Sequence, residues 1–183
     1  MDGITIRQAM ADDVAIVDQM IREAAAWVDA LGVVMWEDGE LDAGRIRDEV
    51  AGGMFFLATI GGDVAGAIRF QLEDRVFWPD RPEGEAAFVH RLVARRAFKG
   101  RGVARALLEW ATRHARAQGR GLLRLDCDAN RPKLRALYES CGFTLHSYRQ
   151  VGPYYVARYE IKTAQGLGLK AQGRALEPNR HEP

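Results

Sequence analysis

Apolar residues recur along this chain with two periods, and the switches between them mark its elements. Ile4 and Ile6 alternate with polar neighbours, as in a short strand covered on one side. Val14, Val17, Ile21, Ala24, Val28 and Leu31 fall at helical spacings, which predicts a helix that buries one stripe. Asp12 and Asp13 offer its N-cap, and Gly32 ends it. Residues 41–50 read as a second short helix, closed by Gly52 and Gly53. The period then becomes strand-like: runs at 54–60 and 64–72 flank Gly61-Gly62-Asp63 and predict a hairpin. Residues 73–84, with two acidic residues at the start and Pro79 and Pro82 further on, form a loop before a strand at 85–94. A second amphipathic helix spans 102–118 on Val103, Leu107, Leu108, Ala111 and Ala115, and a strand follows at 122–127. Asn130 or Arg131 caps a helix whose early Pro132 is tolerated because its missing N–H would have gone unpaired. Gly142 stops that helix after Ser140, and strands at 143–149 and 154–161 complete the pattern.

The order is therefore β-α-α-β-β-β-α-β-α-β-β, within one domain over residues 1–162. The strand-helix-strand unit in the middle implies parallel neighbours, and hairpins on either side imply antiparallel ones. The fold class is α/β (α+β), a mixed and mostly antiparallel sheet with helices on both faces. Residues 163–183 lack apolar periodicity and read as a flexible tail.

Composition adds exclusions. A net charge of +1 argues against a nucleic-acid binder, whose basic excess would show. The longest apolar run, residues 54–60, is far too short to span a bilayer, and the N-terminus lacks a basic region followed by an apolar one. A cytoplasmic protein with no membrane partner is expected. Cys127 and Cys141 make neither a disulfide framework nor a zinc site and read as buried thiols; no metal is expected.

The chemistry concentrates where the strand at 85–94 gives way to the helix at 102–118. Between them lies Lys99-Gly100-Arg101-Gly102, a basic turn whose backbone N–H groups, with those of the helix start, suit an anion such as a phosphate. A dinucleotide fingerprint is excluded because Arg105 stands where its third glycine belongs. A Walker A loop is excluded because Lys99-Gly100 reverses its order.

Together with Val103 and Ala104, this turn resembles the Arg/Gln-x-x-Gly-x-Gly/Ala signature of the GNAT superfamily of acyl-CoA-dependent N-acetyltransferases, with Lys99 at the Arg/Gln position. A second motif, Leu137-Tyr138-Glu139-Ser140-Cys141-Gly142-Phe143, is similar to that family's next helix and follows at a suitable separation. The resemblance covers nearly all of residues 3–161. It implies acetyl-CoA as co-substrate, with its pyrophosphate on the amides of Lys99, Gly100, Arg101, Gly102, Val103 and Ala104. It also implies a pantetheine arm paired along Leu92, Val93 and Ala94. Asn130 lies beside the family's asparagine position, which Arg131 occupies, and is implied as a further ligand to that arm. Homodimers occur in the family, and the resemblance admits one here.

Moving an acetyl group from a thioester to an amine requires a deprotonated amine, a donor for the developing oxyanion, and a proton for the leaving thiolate. Both substrates must also be held in attack geometry. The resemblance gives Tyr138 the role of general acid and the strand's backbone that of oxyanion donor. The base is His90, whose ordinary titration range is convenient, or Glu85 at the start of the strand, or a water chain without a dedicated base. Strict alternation would put His90 on the face of Leu92 and Glu85 on the other, unless the strand carries a bulge. The resemblance places the acceptor amine, a small molecule or a peptide, near Trp27, Trp36, Glu37, Asp38, Tyr148, Tyr154 and Tyr155, with Trp78 approaching. Aromatic and acidic groups suit a cationic or aromatic amine. The alternative to an enzyme is a catalytically silent acyl-CoA sensor, which would need the glycine turn but neither Tyr138 nor a base.

Overall fold

The structure, a computed structural model, describes residues 3–30, 32 and 42–165. The strands are β1 (Thr5–Gln8), β2 (Phe55–Ile60), β3 (Asp63–Gln71), β4 (Ala86–Ala94), β5 (Leu122–Asp128), β6 (Thr144–Val151) and β7 (Tyr154–Lys162). The helices are α1 (Val14–Asp29), α2 (Ala43–Ala51), α3 (Val103–Ala117) and α4 (Pro132–Ser140). The strands form one sheet ordered β1-β2-β3-β4-β5-β7-β6, in which β4–β5 is the parallel pair. The expected mixed, mostly antiparallel sheet is what forms.

Alternation along the strands sorts the core into two layers. Phe56, Ala58 and Ile60 of β2 meet the stripe of α3, while Phe55 and Leu57 meet Val17, Met20 and Ile21 of α1 and Ile46 of α2. Close packing on the α3 side depends on Gly66 of β3. A Cβ there would lie 2.6 Å from the Val93 carbonyl oxygen and 2.7 Å from a Val103 methyl.

Several local expectations need correction. Asp13 occupies the N-cap position of α1 as expected, but its side chain does not cap the helix; it closes the 3-10 turn at Ala11–Asp13, accepting the Met10 N–H and pairing with Arg7. Neither Asn130 nor Arg131 caps α4 through its side chain, although Pro132 takes its expected place in the first turn. The chain stays ordered past residue 162: Thr163 is buried and bonds to the backbone of Gly121 and Arg120. Residues 166–183 lie outside the described residues, as do Trp36, Glu37 and Asp38.

Two irregularities in β4 create the site. Its pairing with β5 ends at Val89↔Leu125, so the two strands splay apart beyond that point. On its other edge, the register with β3 steps from Arg69↔His90 to Ala67↔Val93, so Arg91 and Leu92 both oppose Ile68. This is a β-bulge, with Arg91 at φ 49°. The bulge overturns strict alternation. His90 and Arg91 turn to the same side, toward the β3–β4 loop and α2, while Leu92 packs on the α3 layer.

Candidate active site

A cleft of about 1920 Å³ passes through the splay between β4 and β5. That exceeds the size of an ordinary small-ligand pocket and leaves room for two ligands end to end. One end is the glycine turn. Gly100 and Gly102 hold φ values of 78° and 77°, a backbone that L-residues rarely adopt, and open space surrounds both. Lys99 and Arg101 donate their N–H groups back into the turn. Among the described residues, those of Gly100, Gly102 and residues 103–105 have no backbone acceptor, which leaves a set of N–H groups at the start of α3 that could meet an anion. Of the residues expected at the co-substrate, Leu92, Val93, Ala94, Lys99, Gly100, Gly102, Val103, Ala104 and Asn130 line the cleft; Arg101 does not.

Tyr138 lies on the cleft wall, packed against Phe143 and Tyr159 with ring centroids 6.2 and 6.0 Å away. Arg135 fixes its helix by donating to the hydroxyls of Tyr159 and Tyr148 at 2.9 and 2.7 Å. Burial, reinforced by neighbouring Cys127 and Asp126, pushes the Tyr138 phenol well above its ordinary range. It therefore carries its proton at any physiological pH. Burial likewise pushes the Cys127 thiol up to about 12, so this cysteine is inert.

At the other end of the cleft His90 stands between two carboxylates. Its Nε2 is 3.0 Å from Asp74 Oδ2, and its Nδ1 is 3.7 Å from Asp126 Oδ1. Asp126 comes from β5, just past the last pair of the ladder. Asp74 comes from the β3–β4 loop, where its other oxygen accepts the N–H groups of Val76 and Phe77. Trp78 anchors that loop. It is buried between the guanidinium groups of Arg124 and Arg158, 5.1 and 4.6 Å from its ring. Arg158 also donates to Asp80 at 2.6 Å and holds that carboxyl far below its usual range. Trp78 thus belongs to the loop anchor and does not line the cleft.

Burial lifts Asp126 to about 6, with Asp74 adding to the rise and His90 and Arg158 opposing it. Burial would raise Asp74 as well, but the His90 hydrogen bond, the His90 charge and the two backbone N–H groups outweigh it and leave Asp74 lowered. One imidazole thus stands between a carboxyl raised by burial and a carboxylate kept low by its hydrogen bonds, an arrangement that can take up or pass on a proton. The donor atoms of Asp74, His90 and Asp126 lie within 4.8 Å of one another, so the same cluster has the spacing to hold a cation.

Glu85 sits apart from this group. It lies at the far end of β4, pairs with Arg124 at 2.9 Å and does not line the cleft. Asp126 and Asp74 are the site residues that sequence reasoning passed over. One signal was present: a carboxylate at position 126, inside a strand whose alternate residues Leu123, Leu125 and Cys127 are all core. Of the aromatic residues expected at the acceptor, Trp27, Tyr154 and Tyr155 line the cleft. Tyr148 stacks on Tyr155 from the neighbouring strand, with ring centroids 5.8 Å apart.

The family model of the GNAT acetyltransferases matches residues 19–143, and the chain belongs to that family. It is similar to the N-acetyltransferase YesJ of Bacillus subtilis (strain 168), itself uncharacterised, at 26% identity over 78% of this chain and 82% of YesJ. A GNAT-family acetyltransferase of Streptococcus agalactiae 2603 superposes with a TM-score of 0.72 at 20% identity, covering 87% of this chain and 95% of that one. The Salmonella typhimurium protein yncA, solved with its cofactor acetyl-CoA, gives 0.67 at 18% identity over 88% and 94%. Among the described residues no helix is long and apolar enough to cross a membrane.

Proposed function

We propose that this protein transfers the acetyl group of acetyl-CoA to a primary amine by direct attack, with both substrates bound at once. The observation that carries this reading is the single cleft, which has an N–H cradle at one end and the Asp74–His90–Asp126 group at the other. The cradle at residues 100–105 fits a pyrophosphate, since open space meets the glycines and the amides point outward without partners. The edge of β4 beyond Val89 has no strand partner on the β5 side and fits an extended amide-bearing arm as an added strand. Acetyl-CoA supplies an acetyl group activated as a thioester.

The protein's residues do the rest. Asp126, through or beside His90, accepts the ammonium proton, because an amine without a lone pair cannot attack. Leaving this strand edge unpaired also leaves backbone N–H groups at the bulge for the oxyanion. Tyr138, neutral and buried, donates the proton that the departing thiolate needs. The acetyl-CoA bound to yncA supports the choice of donor. Similar folds, a spermidine N-acetyltransferase chimera and an aminoglycoside acetyltransferase in complex with coenzyme A and kanamycin, support an amine acceptor.

The test is thermal stability with acetyl-CoA, followed by free-thiol release over an amine panel. Acetyl-CoA should stabilise the wild-type protein and fail to stabilise Gly102→Glu, whose carboxylate would repel the pyrophosphate. Tyr138→Phe should bind normally and turn over about a hundredfold or more slowly. Stabilisation without turnover of any amine would favour a silent sensor, and no stabilisation at all would overturn the reading.

A further inference from the structure

Beside the acid group lies a patch of the opposite sign. Glu49 of α2 is met by Arg45 at 3.2 Å, Arg69 at 3.3 Å and Arg91 at 2.9 Å. Three guanidinium groups thus share one carboxylate, although Glu49, Arg69 and Arg91 side chains are only 8%, 15% and 5% exposed. Arg69 has the most unspent capacity. Its Nε makes no well-aligned hydrogen bond, and its Nη2 finds only the Met54 sulfur at 3.7 Å, a weak acceptor. Burial, reinforced by Arg45 and opposed by Glu49 and Asp74, draws its pKa down.

Arg45, Arg69 and Arg91 line the same cleft as Asp74, His90 and Asp126. The bulge brings the two patches together. Arg69 and His90 are partners across the β3–β4 ladder, which sets their Cβ atoms about 5 Å apart. Across from the arginines, Asp126 Oδ1 is buried without a hydrogen-bond partner among the described residues, and Asp74 Oδ2 meets only His90 Nε2, at 3.0 Å. One wall therefore offers acceptors for an ammonium immediately beside donors for a carboxylate. A polyamine or a polycationic sugar would set extra positive charge against the arginines.

We propose that the acceptor is an amino acid or a close analogue, an amine bearing a carboxylate within a few bonds, whose carboxylate is held by Arg69 of this cluster. The proposal rests on the transferase reading above and adds the acceptor's class to it. The guanidinium plane would take the carboxylate in two parallel hydrogen bonds, which a lysine cannot reproduce.

The wild-type protein can decide this through its substrates. Thiol release would be measured with a panel of L-amino acids and with the same amino acids as carboxamides, which keep the amine and lose the anion. The expected result is a kcat/KM at least tenfold lower for the amide, carried mainly by KM. In Arg69→Met the amino acid should lose its advantage over the amide, and Arg69→Lys should restore only part of it. Calorimetry with coenzyme A present gives a readout apart from turnover: the amino acid should bind wild type at least tenfold more tightly than Arg69→Met. Amides or simple amines turned over as well as the acids would overturn the carboxylate site and leave the transferase standing. Amino-acid binding that depends on Arg69, without acetyl transfer to any amine, would do the reverse. Absence of both binding and preference would overturn the proposal. Should Arg69→Met fail to fold, the acid–amide comparison in wild type decides alone.

Discussion

Replacing Asp126 by asparagine should make the protein more stable and less active, and the gain should depend on pH. In the folded protein this carboxyl titrates at about 6, against 3.8 for an unperturbed aspartate, chiefly because it is buried. Between those values the folded protein holds a proton that the unfolded chain has released, so stability falls as pH rises through the interval. Above about pH 7 the full penalty applies, of order 3 kcal/mol for the difference between the two titration points. Below about pH 4 both states are protonated and the penalty vanishes. Asparagine carries no charge at any pH and gives up no hydrogen bond at Oδ1, which has no hydrogen-bond partner among the described residues. For a domain of this size the expected rise in Tm at pH 8 is roughly 6–12 °C, shrinking toward zero near pH 4. Thermal unfolding of both proteins from pH 4 to 8.5, with thiol release at pH 8 alongside, measures the two effects together. A variant no more stable than wild type at pH 8, or one whose advantage does not shrink in acid, would refute the argument that Asp126 is held there at the fold's expense.

Two further outcomes follow from the same cleft. The pH profile of kcat/KM should rise through an apparent midpoint near 6 belonging to the Asp126–His90–Asp74 group as a whole. His90→Gln should move that midpoint up and Asp74→Asn should move it down, because His90 lowers Asp126 and Asp74 raises it; shifts in the opposite senses would exclude Asp126 as the group observed. Glu49→Ala should cost about 3 kcal/mol or more, read by denaturant titration, since it removes the buried carboxylate that pairs with both Arg69 and Arg91. A neutral result would mean that water already reaches the arginines.

What could be read from the chain was whatever its chemistry writes locally. A glycine at φ 77° beside a helix start, or a proline in a first turn, is constrained by its immediate neighbours. The glycine turn at residues 99–102 and the placement of Tyr138 on the last helix were therefore legible, as was the mixed sheet from the alternation of periods. Capping was less legible, because Asp13 had a better partner in Arg7 than in the helix behind it.

The Asp74–His90–Asp126 group was not legible, because it exists only where three separate segments meet. His90, Asp74 and Asp126 converge through the splay of β4 from β5, the bulge at Arg91 and a loop pinned by Trp78 between two arginines. No one of these is a property of the sequence near the residue it positions. The bulge decided against strict alternation and parted His90 from the face of Leu92, while Glu85 went to Arg124 at the far end of its strand. The arginine cluster has the same origin, with one member each from α2, β3 and β4 converging on Glu49. Sequence alone determined the fold and the glycine turn before α3, because both rest on short-range backbone and periodicity rules. Tertiary structure decided which charges share the cleft, because burial and juxtaposition set what those charges can do.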